Sequence, residues 1–85
     1  MGQAPRNKPN RLAEKLAEIR KALGFSQWEM AERLSQRTGF KITREQVSNY
    51  ECDRVEPFLE TVLAYAYVAN VHMEQIADDD LDLNL

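Results

Sequence analysis

Apolar residues recur along this chain at helical spacing, in blocks separated by clear stop and start signals. Leu12, Leu16, Ile19 and Leu23 follow one another at four, three and four residues, one stripe of a helix that begins at about residue 10. Gly24 can take a positive φ and end it. Ser26 with Glu29 then forms a capping box, flanked by Phe25 and Met30 as a hydrophobic staple. Thr43 with Gln46 repeats the construction, with Ile42 and Val47 as its staple. Each pair satisfies backbone N–H groups that a helix start otherwise leaves open. The pattern therefore predicts two short helices joined by a turn, the first burying Met30, Ala31 and Leu34 and ending near Thr38-Gly39.

At about 100° per residue, the second of these helices turns Val47 and Tyr50 to the core. Arg44, Glu45, Ser48 and Asn49 occupy the opposite arc, which is wholly polar. Pro57 is placed at the start of a fourth helix, where its missing N–H costs nothing, and "FLETVLAYAYVANV" continues it. Asn70 tolerates the left-handed conformation that ends it. A short fifth helix over about 73–77 precedes "DDDLDLNL". The organisation is a basic arm over 1–9, an all-α domain over 10–77 and an acidic tail over 78–85.

Charge changes the picture. The 85 residues carry a formal charge of −3, the wrong sign for a polyanion partner. All eleven Lys and Arg, however, lie between Arg6 and Arg54, where seven acids leave a balance of +4. Residues 55–85 hold seven acids and no base, −7. Local field rather than net charge steers a polyanion, so nucleic acid is not excluded. No apolar run approaches the roughly 18–20 residues of a membrane span, and the opening "MGQAPRNKPN" is not a secretory signal. The single Cys52 cannot pair within the chain, which fits a reducing cytoplasm. His72 is also alone, so metal ligation and nucleophilic catalysis lack a constellation; neither an enzyme nor a cofactor is expected.

Taken in order, Ser26-Gln27, Ala31, Leu34, Thr43, Val47-Ser48-x-Tyr50-Glu51, Pro57 and "LETVLAYAYVANVHMEQI" resemble the lambda-repressor/Cro-like helix-turn-helix family. The resemblance covers about residues 10–77 and implies a compact five-helix DNA-binding domain. It implies that Gln27 meets a phosphate, that Arg44, Glu45 and Asn49 meet base edges, and that Arg54 contacts backbone. The base types suit this. Arg pairs with guanine, Asn with adenine, and Glu accepts from cytosine N4. Arg37, Lys41, Thr43 and the arm residues Arg6, Lys8 and Arg11 complete the candidate phosphate contacts.

Two departures stand out. The stretch from Leu34 to Glu51 is about six residues longer than the family pattern, so either the second helix or the turn is extended. Cys52 stands where the family usually has Gly, so the loop carrying Arg54 must be strained or re-routed.

Trp28 lies toward the outer side of the second helix and is expected to half-bury against the third or to serve a partner contact. Phe58, Ala64 and Tyr67 widen the apolar band of the fourth helix and are the candidate subunit interface of a homodimer. The tail reads as an unstructured solubilising end or, from the alternation of Leu81, Leu83 and Leu85, as a strand that pairs with another chain. The expected function is a sequence-specific transcriptional regulator on double-stranded DNA. The alternative is a protein-interaction module, such as an antitoxin whose acidic tail binds its partner.

Overall fold

In the computed structural model, which describes residues 11–85, the stop and start signals fall where the sequence places them. Helix α1 is Leu12–Ala22, α2 Gln27–Thr38, α3 Arg44–Glu51, α4 Leu59–Ala69 and α5 Met73–Ala77, with no strand among the described residues. Helix α1 ends in a Schellman turn. The N–H of Phe25 donates to the Arg20 carbonyl at 3.1 Å and that of Gly24 to Lys21 at 3.0 Å, with Gly24 at φ +75°. Both capping boxes are closed. Ser26 Oγ accepts from Glu29 N at 3.0 Å while Glu29 Oε1 accepts from Ser26 N at 2.8 Å. Thr43 and Gln46 exchange the same pair at 3.2 and 2.8 Å. Pro57 stands two residues before the first helical residue, Leu59, further out than expected: it is buried, and Phe58 is the extended residue that enters α4.

Helix α2 runs twelve residues, and five more, 39–43, connect it to α3. That connection is internally bonded: Ser35 Oγ accepts from Ile42 N at 2.8 Å, and Thr38 Oγ1 accepts from Phe40 N at 3.3 Å. Ile42, 3% exposed, plugs it into the core. The core itself gathers Leu16 and Ile19 of α1, Met30 and Leu34 of α2, Val47 of α3, Tyr65 of α4 and Ile76 of α5, all fully buried. Each such side chain contributes roughly 1.5–3 kcal/mol by leaving water.

The tail departs from expectation. Lys15 is fully buried, and its Nζ donates to the carbonyls of Gln75 at 2.7 Å, Asp78 at 2.7 Å and Leu81 at 2.6 Å. An ammonium has three N–H donors and all three are used, as a buried charge requires. Asp79 Oδ1 accepts from the N–H of Arg11 at 2.9 Å, and Asp82 Oδ1 accepts from the Arg11 guanidinium at 2.9 Å. Leu83 packs against the core. Residues 78–85 are therefore neither an unstructured end nor a strand awaiting a partner; they close over the first turns of α1. The 1–9 arm, with Arg6 and Lys8, lies outside the described residues.

Candidate nucleic-acid interface

The outer arc of α3 is open, as its periodicity requires. Arg44 and Glu45 are exposed and Ser48 and Asn49 half-buried, while Val47 and Tyr50 are buried beneath them. Among the described residues, neither Arg44 nor Glu45 enters an ion pair, so Glu45 is not neutralised by its neighbour. Adjacent residues on a helix do not face each other.

A clamp fixes the position of this helix. Arg20 Nε and Nη2 donate to the two carboxylate oxygens of Glu51 at 2.7 and 3.1 Å, and Nη1 donates to the Phe25 carbonyl at 2.9 Å. The ion pair is mostly buried, with side chains 16% and 6% exposed. The hydrogen bonds it donates to Glu51 hold the Arg20 guanidinium above its ordinary range. Gln27 Nε2 also donates to Glu51 Oε1, at 3.2 Å. One carboxylate thus joins the end of α1, the start of α2 and the end of α3. Tyr65 lies in the field of this pair, and burial pushes its hydroxyl far up from the ordinary phenol value. The clamp is not legible in the sequence: Glu51 is visible as part of a motif, but nothing in the spacing names Arg20 as its partner.

The candidate phosphate contacts separate into groups. Gln27 is half-buried and spends one amide hydrogen on Glu51, leaving its second hydrogen at the start of α2. Thr43 accepts a capping bond and retains its hydroxyl hydrogen. Lys41 and Arg54 are exposed near the two ends of α3. Arg37 lies elsewhere: its guanidinium carbon sits 3.6 Å over the Tyr67 ring, so it belongs to the α2–α4 side and not to the α3 arc. Arg11, bonded to Asp79 and Asp82, is likewise committed to the tail.

Cys52, where the sequence resemblance leads one to expect glycine, is relaxed. Cys52 has φ −93°, and the left-handed conformation moves one position on, to Asp53 at φ +61°. The loop is re-routed, and the N–H of Arg54 donates to the Asn49 carbonyl at 2.9 Å.

Trp28 does not half-bury against α3. It is 62% exposed and, with Phe40, walls an open groove of about 560 Å³ whose floor includes Ala31 and Ile42 and whose end is Thr43 and Arg44. Of the candidate interface residues, Phe58 and Tyr67 are 72% and 64% exposed, but Ala64, at 2%, is core. It lies about 60° beyond the arc's outermost apolar residue, Tyr67, around α4, and that rotation turns it inward. Among the described residues no three His, Cys, Asp or Glu side chains gather as metal ligands, and no helix is long and apolar enough to cross a membrane.

Solved structures share this architecture. The P22 c2 repressor, solved in complex with a synthetic operator, superposes with a TM-score of 0.63 at 23% identity, covering 81% of this chain and 96% of that one. The hypothetical transcription factor NHTF from Neisseria gives 0.62 at 24%, covering 91% and 84%. The restriction-modification controller protein C.AhdI from Aeromonas hydrophila gives 0.58 at 24%, covering 78% and 91%. No family model matches the chain, and no curated protein does. The fold is all-α, with five helices among the described residues, and it is shared with these three structures; α2 and α3 are its two capped helices across a turn.

Proposed function

We propose that the chain is a sequence-specific DNA-binding transcriptional regulator of the cytoplasm, reading the major groove with α3. The observation that carries this is the open polar arc of Arg44, Glu45, Ser48 and Asn49 on a helix capped at its start and clamped at its end. A helix so held presents its donors and acceptors without first having to order them. Arg44 suits guanine, Asn49 adenine and Glu45 the cytosine amino group. Lys41, Thr43, Gln27 and Arg54 flank the arc and position it on phosphate. The P22 c2 repressor, similar in fold, holds a synthetic operator in its crystal structure, which supports the same class of partner here. Two copies acting together, on half-sites roughly 34–36 Å apart, double the contact set.

Selection of bound sequences from a random duplex library tests the reading. A consensus should emerge, and Arg44→Ala or Asn49→Ala should each cost about 1–3 kcal/mol on it and relax one base position. Equal affinity of wild type and variants for consensus and scrambled duplex would sink it. The groove between Trp28 and Phe40 favours the second reading, a module that binds a protein. Salt separates the two, because DNA affinity falls steeply as salt rises. On that reading the acidic tail, whose Asp80, Leu81 and Leu85 side chains stay exposed, is a second surface for such a partner.

A further inference from the structure

Helix α2 and the connection 39–43 enclose a groove of about 560 Å³ whose walls are fixed before anything enters it. Trp28 lines it from α2 and Phe40 from the connection. The Ser35 hydroxyl, on α2, accepts from the Ile42 N–H at 2.8 Å and so ties the floor to the helix. Thr38 Oγ1 accepts from the Phe40 N–H at 3.3 Å and holds the second wall. Two large aromatic surfaces therefore stay open to solvent in one concavity, 62% and 42% exposed. Preformed concavities of roughly 300–1,000 Å³, apolar with a few polar groups, are the usual seats of small molecules.

Charge narrows the occupant. Lys41 and Arg44 line the groove against a single acid, Glu32. Among the described residues neither cation enters an ion pair. A cationic ligand would meet two like charges, and a neutral one would use neither. A planar ring bearing a carboxylate suits both features: its faces stack on Trp28 and Phe40, and its two oxygens fit a guanidinium fork. In an unmodified protein, ring and anion sit on separate residues that must both be ordered. One small molecule carries them together and avoids that cost.

We infer that the groove binds a small aromatic carboxylate, its ring between Trp28 and Phe40 and its charge met by Lys41 and Arg44, and that occupancy opposes DNA binding. Arg44 is also the first residue of the polar arc, so a carboxylate that engages it withdraws it from a base. This competition rests on the proposed function; binding in the groove does not. The probe is 2-naphthoate, followed by proton–nitrogen NMR of the full chain without DNA. Trp28 is the chain's one tryptophan, so the single indole N–H signal reports the groove. That signal and the Gly39 and Lys41 amides should shift and saturate, with a Kd on the order of 100 µM. The neutral 2-naphthamide and the cationic 2-naphthylmethylammonium should bind roughly tenfold more weakly. Phe40→Ser should lose binding with unchanged helical circular dichroism and unchanged DNA affinity. Lys41→Gln should weaken naphthoate about threefold and leave naphthamide as it was. At constant ionic strength and about ten times its Kd, naphthoate should lower wild-type DNA affinity about tenfold, and that of Phe40→Ser not at all. No saturable shift at millimolar naphthoate overturns the site and leaves the groove to the protein of the second reading. Equal binding of the three probes overturns the anion. Saturable binding with undiminished affinity for a selected duplex overturns the competition. A chain that reads no duplex fails the proposed function, while the titration still decides the site.

Discussion

Helix α1 holds two enclosed cations, and they are satisfied in opposite ways. Lys15 meets three neutral carbonyls from α5 and the tail, whereas Arg20 meets one carboxylate, Glu51, at the end of α3. Five residues rotate a helix by about 500°, so the two side chains leave α1 about 140° apart. One fastens the C-terminus and the other the helix with the polar arc. The carbonyl cradle cancels no charge and depends on geometry alone; the carboxylate cancels charge and also tolerates more movement. The first is therefore a device of stability, and the second bears on what α3 can do.

The largest expected effect comes from removing the cradle's occupant. Lys15→Met keeps the apolar stem but takes its donor from the carbonyls of Gln75 and Leu81 and leaves that of Asp78 with the Leu81 N–H alone; an enclosed carbonyl without a donor costs about 1–3 kcal/mol. A loss of about 3 kcal/mol or more follows, a large part of the roughly 5–15 kcal/mol that holds a domain together. Urea unfolding followed by circular dichroism reads it. Lys15→Arg should not rescue, because a planar guanidinium cannot point three donors at three converging carbonyls. A loss below about 1 kcal/mol would mean that the tail is loosely held, with water taking over from Lys15.

Breaking the clamp should cost less stability and more function. Arg20→Met leaves Glu51 enclosed without its main partner; since the guanidinium is partly wet, about 2 kcal/mol is expected, below the 3–5 of a fully buried pair. Helix α3 then loses its tie to α1. Cognate DNA affinity should fall for Arg20→Met but stay near wild type for Lys15→Met at temperatures where both remain folded. Paired unfolding and binding titrations check this. Equal affinity losses in the two variants would erase the distinction between the ends of α1.

These two cations also mark where sequence reading stops. Caps, helix ends and the inward face of α3 were legible, because each is written in residues three or four apart: Ser26 with Glu29, Thr43 with Gln46, Val47 with Tyr50. The outer arc follows from the same period. Lys15 itself carried a signal, since it lies in the arc of Leu12, Leu16 and Ile19, where a charge must find partners. Its partners are backbone carbonyls, which every residue has, so no residue type could name them. A run of aspartates likewise looks solvated until Arg11 and Lys15, more than sixty positions away, are brought against it. Ala64 failed for a smaller reason: a rotation of about 60° around α4 separates an exposed side chain from a buried one, finer than a wide apolar band can resolve.

The smallest effect separates charge from geometry within the tail itself. Asp82→Asn removes the carboxylate that bonds the Arg11 guanidinium and holds it above its ordinary range. That pair is exposed, with the Asp82 side chain 85% accessible, so water competes for both partners and salt screens them. The cradle around Lys15 is untouched by the change, because Asp82 contributes nothing to it: the carbonyls belong to Gln75, Asp78 and Leu81. The unfolding midpoint of Asp82→Asn should therefore match wild type within measurement scatter, in low salt and in high. Hydrogen exchange supplies the sharper readout, since the Leu81 N–H, bonded to the Asp78 carbonyl at 3.1 Å, should keep its protection in Asp82→Asn and lose it in Lys15→Met. If Asp82→Asn frees that amide instead, the tail is held by its charges, and the cradle is a consequence of their attraction rather than its cause.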